Sequence, residues 1–277
     1  MSDAAFLLLQ RVLPKRWLTE GLGWLASRRG GWATRWAIER FIARYRVDMT
    51  EAADPDPGGY ATFNEFFTRA LAPDRRFFAT SDWICPVDGA VSQCGPIESG
   101  RVLQAKGHDY RLDDLLAGAL PADRFEGGAF ATLYLSPRDY HRIHMPAPGR
   151  LISMTHVPGT LYSVNPVTVA GIAGLFARNE RVVCVFDCEG EPFVMVLVGA
   201  TIVGSMATVW HGQVNPPRPD QPRRWDYTDR SIHLDQGAEM GRFMLGSTVI
   251  LIVAARHSGN WPNWSPGRPV RLGEALA

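Results

Sequence analysis

The chain has 277 residues, about twice the ~150-residue domain prior, so one large domain or two modest ones are expected. A hydrophobic content of 46% excludes general disorder, and 29 Lys+Arg against 28 Asp+Glu leave a net charge of +1 that favours no class of partner. The balance hides an asymmetry. Residues 1–47 carry nine basic and three acidic side chains, a local charge of +6, so the remainder stands at −5. The same segment holds four of the nine tryptophans: Trp17, Trp24, Trp32 and Trp36. Cys85, Cys94, Cys184 and Cys188 form no CxxC pattern, which points to a reducing compartment rather than a disulfide framework. No signal peptide is recognisable, and apolar runs such as Phe193–Val203 fall short of the ~18–20 residues needed to span a bilayer. Any contact with a membrane is expected to be peripheral.

In chain order, residues 4–47 read as helices broken at Pro14 and at Gly30-Gly31. Trp17, Leu18, Leu22 and Leu25 fall on one face of the second helix, and Ile38, Phe41, Ile42 and Tyr45 repeat at helical spacing in the third. Such helices, with interfacial tryptophans and basic polar faces, suit the plane of an anionic bilayer. An ordinary bundle packed on the main domain would show the same moment, so the pattern leaves both readings open. Asp54-Pro-Asp-Pro-Gly-Gly59 is a linker, which divides the chain into a helical segment, 1–53, and a body, 60–277. A helix over Phe63–Leu71 comes next. Strands are then predicted at Ala129–Leu135, Leu151–Val157, Arg181–Cys188, Phe193–Val198, Thr201–Val209 and Thr248–Ala254, with a hairpin through Glu189-Gly190-Glu191-Pro192. The fold class is α+β, with amphipathic helices attached to a β-rich body.

Three places carry candidate chemistry. Pro86-Val-Asp-Gly89 sets Asp88 in a tight turn, which is also ordinary turn chemistry. Tyr140-His-Arg-Ile-His-Met-Pro146 spaces His141 and His144 three residues apart, but no third-ligand pattern turns them into a zinc site, and no metal is called for. Leu245-Gly-Ser-Thr248 leads into the apolar run Val249–Val253. Asp, His and Ser together are the makings of a charge-relay nucleophile, yet Gly246-Ser247-Thr248 lacks the closing glycine of a hydrolase elbow.

Taken together and in order, Phe63-Asn-Glu-Phe-Phe-Thr-Arg69, Pro86-Val-Asp-Gly89, Tyr140-His-Arg-Ile-His-Met-Pro146, Val164-Asn-Pro166 and Gly241-Arg-Phe-Met-Leu-Gly-Ser-Thr248 resemble the signature set of the phosphatidylserine decarboxylases. The resemblance covers essentially the whole chain, in the bacterial form of the family. It implies a proenzyme that cuts itself between Gly246 and Ser247, giving a large chain of 1–246 and a small chain of 247–277 that remain together as a heterodimer, with further dimerisation open. It also implies that Ser247 becomes a covalent pyruvoyl group, the cofactor. Self-cleavage would use Ser247 as nucleophile, His144 as base and Asp88 to orient the imidazole. The substrate amine would then form a Schiff base with the pyruvoyl group, and phosphatidylserine would lose carbon dioxide to give phosphatidylethanolamine. His141 matches the family histidine linked to decarboxylation, as proton donor or substrate contact. Lys106, in Gln104-Ala-Lys-Gly107, is a weaker candidate for phosphate binding. The implied partners are phosphatidylserine and an anionic membrane surface, with no nucleic acid, and the implied location is the cytoplasmic side of the inner membrane. An uncleaved Ser-His-Asp lipid hydrolase and a catalytically silent membrane-binding protein are the competing readings.

Overall fold

The computed structural model describes residues 3–105, 107–201, 205–244, 246–259, 261–262 and 264–276, with Arg11 and Ser247 described by their backbone alone. Three helices open the chain: α1 (Asp3–Val12), α2 (Lys15–Ala26) and α3 (Trp32–Tyr45). The breaks fall at Pro14 and Gly30-Gly31, where the sequence puts them. The helices differ in what covers their apolar sides. In α3, Ile38 is buried and packs with Phe41 and Ile42 against Phe66 and Phe67 of α4 (Phe63–Phe67). In α2 the side chains of Trp17, Leu18, Leu22 and Leu25 stay exposed, and Trp17 is 80% accessible.

Helix α4 starts at a reciprocal cap: the Thr62 hydroxyl accepts from the Glu65 N–H (3.1 Å), and Glu65 reaches back to the Ala61 N–H (2.8 Å). It is shorter than the sequence predicts. Beyond Thr68 the chain turns extended, because Ala70 and Ala72 exchange backbone hydrogen bonds with Ala53 and Glu51.

The body is built on β1 (Gly89–Pro96), β2 (Arg101–Ala105), β3 (His108–Arg111), β4 (Ala129–Leu135), β5 (Arg142–His144), β6 (Gly149–Val157), β7 (Arg181–Cys188), β8 (Glu191–Val198), β9 (Met206–Thr208), β10 (Gly212–Gln213), β11 (Arg223–Asp226), β12 (His233–Leu234), β13 (Glu239–Phe243), β14 (Ser247–Val253) and β15 (Pro269–Val270). Among the described residues the main sheet runs β11-β6-β7-β8-β14-β4-β1-β15, with β12 also on β6, and a smaller sheet runs β10-β9-β13-β5. The class is α+β. The hairpin predicted at Glu189-Gly190 joins β7 to β8, both residues having positive φ (53° and 86°), the geometry of a two-residue turn that follows strand twist. The strand predicted over Thr201–Val209 contracts to β9, and Ile202–Gly204 lie outside the described residues. At its start the Met206 N–H is taken by the Asn215 side chain (2.8 Å).

Strand β14 lies in the middle of the main sheet. It pairs antiparallel with β4, from Ser247↔Leu135 to Val253↔Ala129, and with β8, from Thr248↔Val198 to Val253↔Phe193. Val249–Val253 are fully buried, and the unbroken apolar run is what a strand covered on both faces requires.

Buried polar ties join the outlying pieces to this core. His156 Nε2 and Glu180 are 2.9 Å apart, Arg218 reaches Glu180 at 2.8 Å, and Arg218 also meets Glu20 of α2 at 3.6 Å. Asn179, fully buried, donates to the Tyr162 and Gly199 carbonyls (both 2.9 Å) and accepts from the Tyr162 N–H (3.0 Å). Asn179→Ala leaves these backbone groups buried and unpaired, at a cost of about 3 kcal/mol. Thermal unfolding should show an apparent Tm lower by about 6 °C; an unchanged Tm would mean that water replaces the amide.

Candidate active site

Three adjacent strands set the level of the site. Ser247 of β14 pairs with Leu135 of β4, and the neighbouring Tyr134 pairs with Ala90 of β1. A Cβ at Gly89 would lie 2.3 Å from the Tyr134 carbonyl oxygen, so β1 can approach β4 this closely only with glycine there. Asp88 therefore sits just beyond the end of β1, two strands across from Ser247.

Asp88 is buried and held from two sides. Its Oδ1 accepts from the Leu272 N–H (2.9 Å) and from Arg76 Nε (2.9 Å), while Arg76 Nη2 bonds Oδ2. The same Arg76 Nη2 reaches Glu51 at 2.7 Å, so one guanidinium, its side chain only 5% accessible, clamps two carboxylates.

His144 stands on β5, opposite Glu239 of β13. Its Nδ1 is 2.7 Å from the Gly237 carbonyl oxygen and its Nε2 is 3.1 Å from the Tyr140 hydroxyl. A carbonyl only accepts, so the proton is on Nδ1, and Nε2 is the basic nitrogen facing the Tyr140 O–H. Burial pushes the His144 pKa below the ordinary histidine value, against the Gly237 carbonyl and the charges of Glu239 and Asp88, which favour the proton. The ring is neutral near pH 7.

His141 follows the same pattern more deeply. It is fully buried, with Nδ1 donating to the Asp139 carbonyl (2.8 Å) and its ring centroid 4.1 Å from that of Phe67. Nε2 is buried with no partner among the described residues. Burial pushes its pKa down to about 3, so the unpartnered atom is a lone pair. The His141 carbonyl accepts from the Phe243 N–H (3.1 Å), tying this histidine to the segment that leads to Gly246. Gly246 has φ +33° with open space around it, so glycine there meets a backbone requirement and not a steric one.

The expected residues thus converge at one end of the sheet, with two qualifications. Lys106 lies outside the described residues, as does the Ser247 side chain. Asp88 has Arg76 and Leu272 as its hydrogen-bond partners, and the ring nitrogen of His144 that it was expected to orient bonds Gly237 instead. A bidentate, charge-assisted pair with Arg76 is the stronger partnership for a buried carboxylate. Sequence reading did not single out Arg76, Tyr140, Gly237 or Phe67. Tyr140 lay inside the quoted histidine motif; a backbone carbonyl such as that of Gly237 leaves no signature in composition. A cavity of about 310 Å³ adjoins the site, lined by Asp88, Gly89, Tyr140, Asp139, Arg76 and Arg69.

Two neutral, oriented imidazoles and a clamped carboxylate are the kind of groups that one class of protein, enzymes that move protons, brings together. Comparison with known proteins gives this class a family. Residues 63–277 match the family described as phosphatidylserine decarboxylase, and residues 5–46 match a further family described as PSD. The chain is 62% identical to the phosphatidylserine decarboxylase proenzyme of Acidovorax ebreus, over all of this chain and 98% of that one. It is 62% identical to the proenzyme of that name from Chromobacterium violaceum over the full length of both, and 59% identical to that of Variovorax paradoxus. The chain belongs to the phosphatidylserine decarboxylase family.

The Arg76 clamp generates the prediction for this site. Arg76→Met leaves the buried Asp88 and the half-buried Glu51 without their shared cation, so stability falls by about 3 kcal/mol, and Arg76→Lys loses less. Denaturant unfolding of both variants measures it; equal stability of Arg76→Met and the parent would show the clamp to be dispensable.

Proposed function

We propose that this chain is a phosphatidylserine decarboxylase made as a proenzyme, which cuts itself between Gly246 and Ser247 and carries the resulting pyruvoyl group at the start of its 247–277 chain. The observation that carries the reading is His144, a neutral imidazole fixed at Nδ1 by Gly237 with its lone pair at Nε2. In self-cleavage the Ser247 oxygen adds to the Gly246 carbonyl carbon as His144 takes its proton. The proton returns to the departing amide nitrogen, and an ester replaces the amide. Loss of the Ser247 α-proton then expels the Gly246 carboxylate, and addition of water to the remaining dehydroalanine releases ammonia and leaves the pyruvoyl group. Asp88 acts through its charge, which favours protonated His144. Among the described residues, residue 247 pairs with Leu135 of β4, and the pairing with β8 begins at Thr248.

The pyruvoyl ketone supplies an electron sink for decarboxylation of the serine headgroup. His141 holds or moves the proton that the reaction returns to the α-carbon. Its Nε2 carries none at rest, so it accepts before it donates. The buried ring on Phe67 keeps water from competing for that lone pair.

Residues 1–53 serve as the membrane attachment and 60–277 as the catalytic domain. Support comes from α2, which leaves Trp17, Trp24 and Leu25 largely exposed, and from guanidinium groups over tryptophan rings, Arg28 on Trp24 (4.1 Å) and Arg40 on Trp36 (5.7 Å). No described helix is long and apolar enough to cross a membrane. Each basic side chain near an anionic surface adds about 1 kcal/mol of attraction. The reading places the protein peripherally on the cytoplasmic side of the inner membrane, with the two chains held as a heterodimer.

Purified protein should run as two polypeptides, the smaller lighter than residues 247–277 by one ammonia, and should release carbon dioxide from phosphatidylserine. Ser247→Ala should stay whole and inactive. His144→Ala should accumulate the uncut chain, whereas His141→Ala should cut itself but turn over poorly. Because the His144 pKa is lowered, the base stays unprotonated as pH falls past 6.5, and gel-resolved cleavage should keep its rate until below that value. A single uncut species that decarboxylates phosphatidylserine would overturn the mechanism; one inactivated by acylating serine reagents would favour the hydrolase. A reversed pattern for the two histidines would exchange their roles.

Exchanging Arg28, Arg29, Arg35 and Arg44 for Glu should weaken binding to anionic vesicles while leaving cleavage possible, and wild-type binding should fall with added salt. Unchanged vesicle sedimentation after the exchange would assign the helices to internal packing.

A further inference from the structure

We propose that Arg69 is the side chain that binds the phosphodiester of the lipid headgroup, an inference that rests on the decarboxylase reading. Arg69 closes the Phe63–Arg69 motif, immediately after α4, and is 94% buried by virtue of its 6% relative accessibility. Its Nη2 donates to the Arg138 carbonyl (3.2 Å), and its guanidinium carbon lies 5.4 Å from the Phe66 ring centre. Nη1 is buried and has no hydrogen-bond partner among the described residues.

A buried arginine is ordinarily met by a carboxylate, because an unpaired buried charge is costly. Here each carboxylate near enough to act on Arg69 is committed elsewhere. Asp88 and Glu51 are held by Arg76, and Asp139 accepts from the Ser136 N–H (2.7 Å) and faces Arg138 at 3.7 Å. Nη1 keeps a pair of protons without an acceptor among the described residues, and Arg69 lines the same cavity as Asp88, Gly89 and Tyr140. An anion in that cavity would satisfy it.

Position and charge bookkeeping identify which anion. The backbone that Arg69 grips at Arg138 runs between Leu135, the partner of Ser247, and His141, so the cation borders the reaction centre. The headgroup of phosphatidylserine carries a carboxylate and a phosphodiester. A cation on the carboxylate would stabilise the charge that decarboxylation must disperse, raising the barrier. The phosphodiester keeps its charge from substrate to product, so holding it with a planar guanidinium binds ground state and transition state alike. The signature of such a contact is a change in KM larger than that in kcat.

The test uses the full-length Ser247→Ala chain and two soluble probes, glycerophosphoserine and glycerophosphoethanolamine, which share the phosphodiester while only the first has the carboxylate. Both should bind in calorimetry, and Arg69→Gln should weaken both by about tenfold or more, with Arg69→Lys losing less. In the cleaving chain, Arg69→Gln should still mature, and its KM for phosphatidylserine in mixed micelles should rise more than kcat falls. Loss confined to glycerophosphoserine would put Arg69 on the carboxylate and overturn the proposal. So would unchanged affinity for both probes, or a fall in kcat with KM unaltered. Should Arg69→Gln fail to fold, Arg69→Lys decides alone, because equal affinity of Lys and Arg for the phosphodiester would remove the case for the guanidinium fork. Failure of the wild type to decarboxylate phosphatidylserine would sink the decarboxylase reading, and the probe measurements report on Arg69 independently of it.

Discussion

The placement of β14 between β4 and β8 is the constraint on which the rest of the site depends. A strand hydrogen-bonded along both edges and buried on both faces cannot shift register without turning an apolar set of side chains out of the core. Residue 247 is therefore held at a fixed level against Leu135, and the loop after Leu135 brings Asp139, Tyr140 and His141 to the same end of the sheet. In the proposed mature form the cut severs the chain just before this strand, and none of the strand's ladder bonds crosses the scissile peptide. In that form the small chain would stay, because leaving would unpair two ladders and expose Val249–Val253.

Around that level, burial sorts the titratable groups by charge. The two imidazoles are driven neutral by desolvation and each is oriented at Nδ1 by a backbone carbonyl, Gly237 for His144 and Asp139 for His141. The carboxylates of Asp88 and Glu51 are met by Arg76, and that of Glu239 by Arg142 and Arg242. Arg69 and Arg181 are both buried without a carboxylate, but backbone carbonyls meet the Arg181 guanidinium, whereas Arg69 Nη1 has no partner among the described residues.

Much of this was legible in the amino-acid sequence. Strands β4, β7 and β14 were readable as apolar runs between turn residues, and the two helix breaks followed from Pro14 and Gly30-Gly31. Asp88, His141, His144 and Gly246 stood out because each lay in a short motif of the family. What escaped was long-range or borne by the backbone. The Arg76 clamp joins residues 51, 76 and 88 through loops without periodicity, and the Gly237 carbonyl is chemically the same as any other. Nor could helical moment separate α2 from α3. Both have an apolar side, and only the presence of Phe66 and Phe67 opposite Ile38 shows which is covered.

The tie between helices and body carries its own consequence. Glu20 of α2 meets Arg218, which meets Glu180 beneath it, while α3 packs on α4, whose Phe67 touches His141. On the proposed membrane attachment, with the exposed face of α2 lying on a bilayer, a molecule braced in this way would have little freedom to tilt or swivel, unlike one on a slack tether. Its encounter with a lipid would then become a search in two dimensions at constant height. Collision frequency would follow the surface density of substrate and its lateral diffusion, not its bulk concentration.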